Sequence, residues 1–242
     1  MKKMKHTFLA SAIALSALAS TAVIPAANAA EVSASVGASN MYYWRGYDLL
    51  GGAALIGDIN VSSNGFFAGV WTSSGDEVLG TEFDLYAGYS GSVGDFSFGL
   101  SVVNYIYPNP KGTKMVPVEG GAEGEMEEAP FDPVKVGDYV ELIPFIGYGP
   151  FKLTYYDAVV AEHEDSLGNE DYSYATAELN FEKFSFKYGQ HMDDGETGMS
   201  HIDATYKFND KLSFTVGQVV DDADGTAPDE TNFIVTLSLP IE

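Results

Sequence analysis

From residue 31 onward the chain alternates apolar and polar side chains with a period of two, and the connections between the alternating segments themselves alternate between short and long. In 81–90, Phe83, Leu85, Ala87 and Tyr89 share one face, while Glu82, Asp84, Tyr86 and Gly88 share the other. The same alternation recurs in 95–107, 201–208 and 232–241. A period of two belongs to strands with two unlike faces. Twelve such segments can be placed, near 32–44, 54–62, 66–72, 81–90, 95–107, 138–147, 151–158, 172–180, 184–190, 201–208, 212–220 and 232–241. Each boundary is good to about two to four residues, so revised ends would leave ten or fourteen strands open.

The connections after every second segment are tight: Ser63-Asn64-Gly65, then 91–94, 147–150, 181–183 and 209–211. The others are longer, the longest running from Pro108 to Gly137. A soluble sandwich has no reason to gather all short turns at one end. A transmembrane barrel does, with short inner turns and long outer loops. The long connections also hold 22 of the 35 acidic residues, including Glu119, Glu123, Glu125, Glu127, Glu128 and Asp132 in the longest. One face of the strands is thereby left nearly free of charge, as a lipid-facing surface requires. The expected fold is all-β: a transmembrane antiparallel up-and-down β-barrel of about 12 strands. The alternative, a soluble antiparallel protein, would spread its charges along one wet face of every strand.

The first residues place that barrel. Lys2, Lys3 and Lys5 precede an apolar run over 8–24, and Ala27-Asn28-Ala29 follows Pro25. Basic, apolar and small-residue parts in that order form a secretory signal peptide, expected over 1–29, with the barrel domain over 30–242. Taking the three leader lysines from the 12 basic residues leaves 9 against 35 acids, a net charge of −26. That balance argues against nucleic acid as a partner. Without cysteine the exported chain has no disulfides to hold it. A closed sheet supplies the stability instead.

Parity then assigns faces. Val32, Ala34, Val36 and Ala38 point to lipid, and extending the strand puts Tyr42 and Trp44 on the same face, at the outer membrane edge. Trp71 is expected at that level, while Tyr89, Phe181 and Phe208 mark a second interfacial ring at the opposite end. The lumen face collects Arg45, Asp58, Glu82, Asp84, Glu141, Lys152, Glu178, Lys187, Asp203 and Lys207. Six acids against four bases under an acidic vestibule favour cations and neutral solutes. Twelve strands fall between a filled barrel of about eight and an aqueous one of about sixteen.

Arg45, the only arginine of the chain, lies in MYYWRGYDLL. It is expected at the extracellular mouth, where it acts either as a constriction or loop-docking residue paired with Glu82 or Asp84, or as a partly wet structural ion pair. Lysine lacks the planar fork for a bidentate clamp. His191 and His201 flank the fifth long loop, with Asp193 and Asp194 between them, and read as surface residues. Nothing in their spacing fixes a catalytic geometry, so no enzyme activity is expected. The runs 162–165, 193–196 and 221–225 offer hard oxygen donors suited to divalent cations. They read first as solvated acidic loops, with weak bridging to divalent ions and lipopolysaccharide a secondary role, and no cofactor is implied. Pro144 inside the sixth strand demands a bulge, and Asn40 falls on the lipid face of the first strand. The segment 108–137 has the Gly, Glu and Pro content of a mobile loop, folded inward to narrow a pore or outward as an interaction surface.

SNMYYWRG (39–46), GFFAGVWTSSGD (65–76), TEFDLYAGYSG (81–91) and SVVNYIYP (101–108) resemble the N-terminal half of the TorF-type porin family. The resemblance implies a Gram-negative outer-membrane barrel with a pore and no catalytic residues, although the chain ends without a terminal aromatic. Together these readings point to a channel in the bacterial outer membrane for passive diffusion of small solutes. The alternative is a non-conducting barrel whose acidic loops bind divalent ions, lipopolysaccharide or a surface partner.

Overall fold

The computed structural model describes residues 30–49, 52–118, 125–162, 169–194, 196–222 and 231–241. The leader expected over 1–29 lies outside them. Among the described residues sixteen strands follow one another: β1 (Glu31–Ser39), β2 (Tyr43–Trp44), β3 (Tyr47–Asp48), β4 (Ala54–Ser63), β5 (Phe66–Asp76), β6 (Gly80–Val93), β7 (Phe96–Ile106), β8 (Thr113–Pro117), β9 (Met126–Pro130), β10 (Tyr139–Tyr148), β11 (Phe151–Ala161), β12 (Ser173–Asn180), β13 (Phe184–Asp193), β14 (Glu196–Lys207), β15 (Leu212–Asp221) and β16 (Asn232–Pro240). Twelve of them, all but β2, β3, β8 and β9, close into an antiparallel barrel in which β1 pairs with both β4 and β16. These are the twelve segments expected from the alternation. Closure leaves no open sheet edge.

Local chemistry explains the turns. Asn64 and Gly65 both take positive φ, 52° and 86°, in a tight two-residue link between β4 and β5. Such paired positive φ values match the twist of a hairpin, and Asn-Gly tolerates them best. Short turns at Gly94 and Gly149 also use positive φ.

The barrel is apolar outside. Val32, Leu55, Ile59 and Phe66 are 60–72% exposed, and Leu100, Phe186, Ile202 and Phe233 stand out from β7, β13, β14 and β16. A soluble domain would bury that surface. Glu82, Asp84 and Glu141, by contrast, face inward and are 0–1% exposed. Inverting the usual order suits a wall surrounded by hydrocarbon. Among the described residues, no helix is long and apolar enough to cross a membrane.

Four local expectations are corrected. β1 ends at Ser39, not near residue 44, and the chain bends over the rim into the interior. The Asn40 side chain finishes the β1–β16 ladder: its amide donates to the Phe233 carbonyl (2.9 Å) and its oxygen accepts from the Val235 N–H (2.6 Å). Asn40 therefore acts as a ladder cap, and the polar atoms that looked misplaced on a lipid face are satisfied. Second, Pro144 sits at no bulge. The Cα register with β11 passes unchanged from Leu142↔Asp157 to Phe145↔Thr154, and the shift falls at Val140/Glu141.

Third, the segment 108–137 contains a hairpin, β8 with β9. Lys111 and Gly112 N–H groups both donate to the Val78 carbonyl (2.8 Å), and Val134 pairs with Tyr107 and is fully buried. The hairpin is thus rooted on the neighbouring loop, while most of its own side chains are exposed. Fourth, parity in β5 runs opposite to expectation. Phe66 and Val70 face outward, whereas Trp71 is directly opposite Asp58 and Asp84 on the inner face.

Candidate functional site inside the barrel

The bend after β1 carries Tyr42, Tyr43, Trp44 and Arg45 into the barrel. Tyr43 and Trp44 pair with Asp48 and Tyr47 across a turn at Arg45 (φ 47°) and Gly46 (φ 96°). Both central residues are left-handed, as a two-residue hairpin requires. For arginine this backbone is costly, of order 1–3 kcal/mol, and persists only where surroundings fix it.

The surroundings do fix it. Arg45 Nη1 and Nη2 donate to Glu141 Oε1 (2.9 Å) and Oε2 (2.7 Å), a bidentate pair with side chains 5% and 1% exposed. Tyr105 Oη donates to the same Glu141 Oε2 (2.7 Å). The guanidinium lies 4.4 Å from the Trp44 ring centroid, 4.6 Å from that of Tyr156 and 4.8 Å from that of Tyr174. Burial alone would disfavour its charge, but Glu141 and the hydrogen bonds outweigh burial, and its pKa rises well above the usual value.

A circuit of hydrogen bonds starts and ends on Arg45. Its Nη1 donates to Tyr172 Oη (3.1 Å), Tyr172 Oη lies 3.0 Å from His191 Nδ1, and His191 Nε2 lies 2.7 Å from the Arg45 carbonyl oxygen. A carbonyl only accepts, so Nε2 carries the proton and neutral His191 receives the Tyr172 hydroxyl at Nδ1. Burial chiefly pushes the Tyr172 hydroxyl up to about 12, with Arg45 opposing, so it stays protonated and able to donate.

A second chain lies beside it. Asp203 Oδ1 accepts from Tyr43 Oη (2.8 Å) and contacts His201 Nδ1 (3.0 Å), whose Nε2 lies 2.7 Å from Tyr174 Oη. Gly189 makes room: a Cβ there would run into Tyr174 and His201.

Strand register assembles the remaining expected lumen residues. Lys152 on β11 faces Glu178 on β12, Glu178 faces Lys187 on β13, and Lys187 faces Asp203 on β14. Residues directly opposite share a face, so four strands carry an alternating belt of charge, with Lys187 Nζ 3.5 Å from Asp203 Oδ2. Asp58 accepts from Tyr86 Oη (2.9 Å). Lys207 is inward and partly buried near the short-turn end.

Several site expectations need correction. Tyr42 is 4% exposed and donates to Glu82, and Trp44 packs on the interior cluster under Arg45. Neither borders lipid, because the strand whose parity was extended ends before them. Trp71 is 7% exposed with its ring 6.2 Å from that of Tyr42. Arg45 is buried inside the barrel, not partly wet at its mouth, and its partner is Glu141 rather than Glu82 or Asp84. His191 (7% exposed) and His201 (0%) are interior residues, not surface ones. Tyr89, Phe181 and Phe208 stand on the exterior near the short turns.

The residues that sequence reasoning passed over are the inward tyrosines, Tyr105, Tyr139, Tyr156, Tyr172 and Tyr174, and the two histidines were placed on the wrong side of the wall. The signal of the tyrosines was parity: all five occupy polar-face positions of segments already recognised. Joined by Trp44 and Trp71, they fill the long-loop end of the lumen. The charged belt lies toward the short-turn end.

A family model described as a bacterial protein of unknown function, Gcw_chp, matches residues 24–225. No curated protein matches the chain. Among solved structures, the chain is similar to the outer membrane phospholipase A from Escherichia coli, at 7% identity over 87% of this chain and 92% of that one, with a TM-score of 0.41. It is similar also to the COG4313 outer membrane channel from Pseudomonas putida F1, at 12% identity over 87% and 96%, TM-score 0.34. The outer membrane protease OmpT from Escherichia coli follows at 12% identity, 87% and 93% coverage and TM-score 0.14.

Proposed function

Because the chain belongs to the Gcw_chp family, whose function is unknown, we propose a function from its own geometry: an outer-membrane channel for small solutes, closed at the long-loop end by the β2–β3 hairpin. The supporting observation is the contrast between the two halves of the inner face. The short-turn half carries the Lys152, Glu178, Lys187 and Asp203 belt amid serine, threonine and glycine. Glu178 and Asp203 are buried while the hairpin is docked, and a lining of both signs is the kind that passes ions once it is open to water. The other half is blocked by a short hairpin held through Arg45, a separate element able to leave without opening the barrel wall.

The inward acids outnumber the bases, so cations and neutral solutes are favoured over anions, in line with the porin resemblance of residues 39–108. The outward apolar face meets outer-membrane lipid, Tyr89, Phe181 and Phe208 sit at its interface, and the acidic outer loops meet lipopolysaccharide and divalent ions. The reading assigns no catalytic role: Asp203, His201 and Tyr174 stand in the order of a proton relay, but Tyr174 is 1% and His201 0% exposed while the hairpin is docked.

The density of the plug favours one other reading, a closed barrel whose exposed β8–β9 hairpin is the working surface. Currents of the reconstituted protein in a planar bilayer under a KCl gradient separate the two. The channel reading expects rare openings for the native chain, frequent ones for Arg45→Ala, and reversal on the cation side. Folded, inserted protein that is silent in both forms would establish the closed barrel.

A further inference from the structure

Arg45 sits against the barrel wall as a ligand sits in a receptor. The β2–β3 hairpin is a two-stranded sheet of its own that shares no ladder with the wall, so side chains dock it. The guanidinium is received by four strands that are neighbours in the barrel. Glu141 on β10 takes both terminal nitrogens (2.9 and 2.7 Å), and Tyr105 on β7 fixes one of those carboxylate oxygens (2.7 Å). The rings of Tyr156 on β11 and Tyr174 on β12 are centred 4.6 and 4.8 Å from the guanidinium carbon. All four residues are 1–3% exposed. Trp44, at 4.4 Å, is the hairpin's own contribution.

These wall groups match one chemical class. Two parallel N–H donors in a plane meet a carboxylate at two points, and a flat delocalised cation lies against aromatic faces. An ammonium has neither the fork nor the flat face. Withdrawal of the hairpin removes Arg45 and Trp44, but Glu141, Tyr105, Tyr156 and Tyr174 stay with their strands. Glu141 is then a carboxylate stripped of its base, which is costly, and a ligand that refills the place favours the open state. Arg45 also carries a left-handed backbone (φ 47°), a strain that a free guanidinium does not bear. Its advantage is the tether, which holds it at an effective concentration on the order of millimolar.

We propose that Glu141, Tyr105, Tyr156 and Tyr174 form a recognition site for guanidinium-bearing organic cations. Arg45 fills this site in the closed state, and such a solute replaces it as the hairpin leaves. The solute class rests on the channel reading of the barrel, whereas exchange at Glu141 is binding and needs no conduction.

The test uses the full chain folded in detergent micelles and titrated with ethylguanidinium chloride, ethylammonium chloride or KCl at matched ionic strength. In the native protein, ethylguanidinium is expected to move tryptophan emission to longer wavelength and to open 43–48 to protease, saturably and at millimolar concentration or above, as competition with the tether requires. The other two salts are expected to do neither. In Arg45→Ala, where no tethered guanidinium competes, ethylguanidinium is expected to raise the thermal midpoint at lower concentration, and adding Glu141→Gln is expected to abolish that response. If Arg45→Ala does not fold, the native titration decides alone. A native protein that ignores ethylguanidinium would overturn the proposal, as would an equal response to ethylammonium or a response that survives Glu141→Gln. Failure of the channel reading is seen separately, as silence of folded, inserted Arg45→Ala in planar bilayers. That result would overturn the transported solute class and leave the exchange at Glu141 to the micelle titration.

Discussion

Arg45 combines an unfavourable backbone with a strong set of partners, and the balance between them is measurable. Removing one member of a buried ion pair leaves the other uncompensated, at a cost of about 3–5 kcal/mol. Arg45→Ala should therefore lower the thermal midpoint in micelles markedly, and Arg45→Lys should recover only part, since an ammonium can neither clamp Glu141 at two points nor stack flat on Trp44 and Tyr156. Replacing both partners, Arg45→Met with Glu141→Leu, should cost less than Arg45→Ala alone, because no charge is then stranded. An Arg45→Ala midpoint unchanged from the native one would mean that the pair does not hold the hairpin. The importance of this residue was legible from its solitude in the sequence. Its partner was not: Glu141 lies 96 positions away, and only the closure of the barrel and the inward bend bring the two together. Tyr172→Phe tests the adjoining circuit, leaving His191 Nδ1 without its donor at about 1–3 kcal/mol.

The β2–β3 hairpin shows where period-two reasoning loses its grip. Strand and inward hairpin have the same alternation, so MYYWRGYDLL continued the parity of β1 without a break in pattern. The bend depends on Asn40 capping the β1–β16 ladder, a contact with a strand some 190 residues further on. The twelve wall strands were readable because each needs only its own alternation and a tight turn. Trp71 was misplaced because a tryptophan suits both a membrane interface and an aromatic plug, and only register with Asp58 and Asp84 separates them. Gly46 offers a direct probe of docking. At φ 96°, an alanine is strained, and its Cβ would come within 2.9 Å of Met199 and 3.1 Å of His201. Gly46→Ala should release the hairpin, moving Trp44 emission to longer wavelength and opening 43–48 to protease. Gly94→Ala has positive φ (63°) but open space around it, so it should show neither effect.

The molecule is inverted, with charge and hydroxyls inside and aliphatic side chains out, and that inversion ties sequence pattern to setting. In water, placing an arginine on an exposed strand position changes stability by roughly ±0.5 kcal/mol. In a bilayer the same change depends on depth, costing about 2–4 kcal/mol at the midplane and about 0–1 near the interface. Ile202 stands midway along β14, 48% exposed and flanked by Tyr188 on β13 and Gln218 on β15. Phe208 lies just past the end of the same strand, 57% exposed at a short turn. Their exposures are similar, so a protein surrounded by water would tolerate Ile202→Arg and Phe208→Arg about equally. A barrel spanning lipid would not: Ile202→Arg should be the costlier by a few kcal/mol, read as a shift in urea unfolding midpoint in phospholipid vesicles. Equal midpoints would separate the closed twelve-stranded wall from its membrane role. The inward charges would then line the inside of a soluble barrel, and the plug would no longer stand between two compartments.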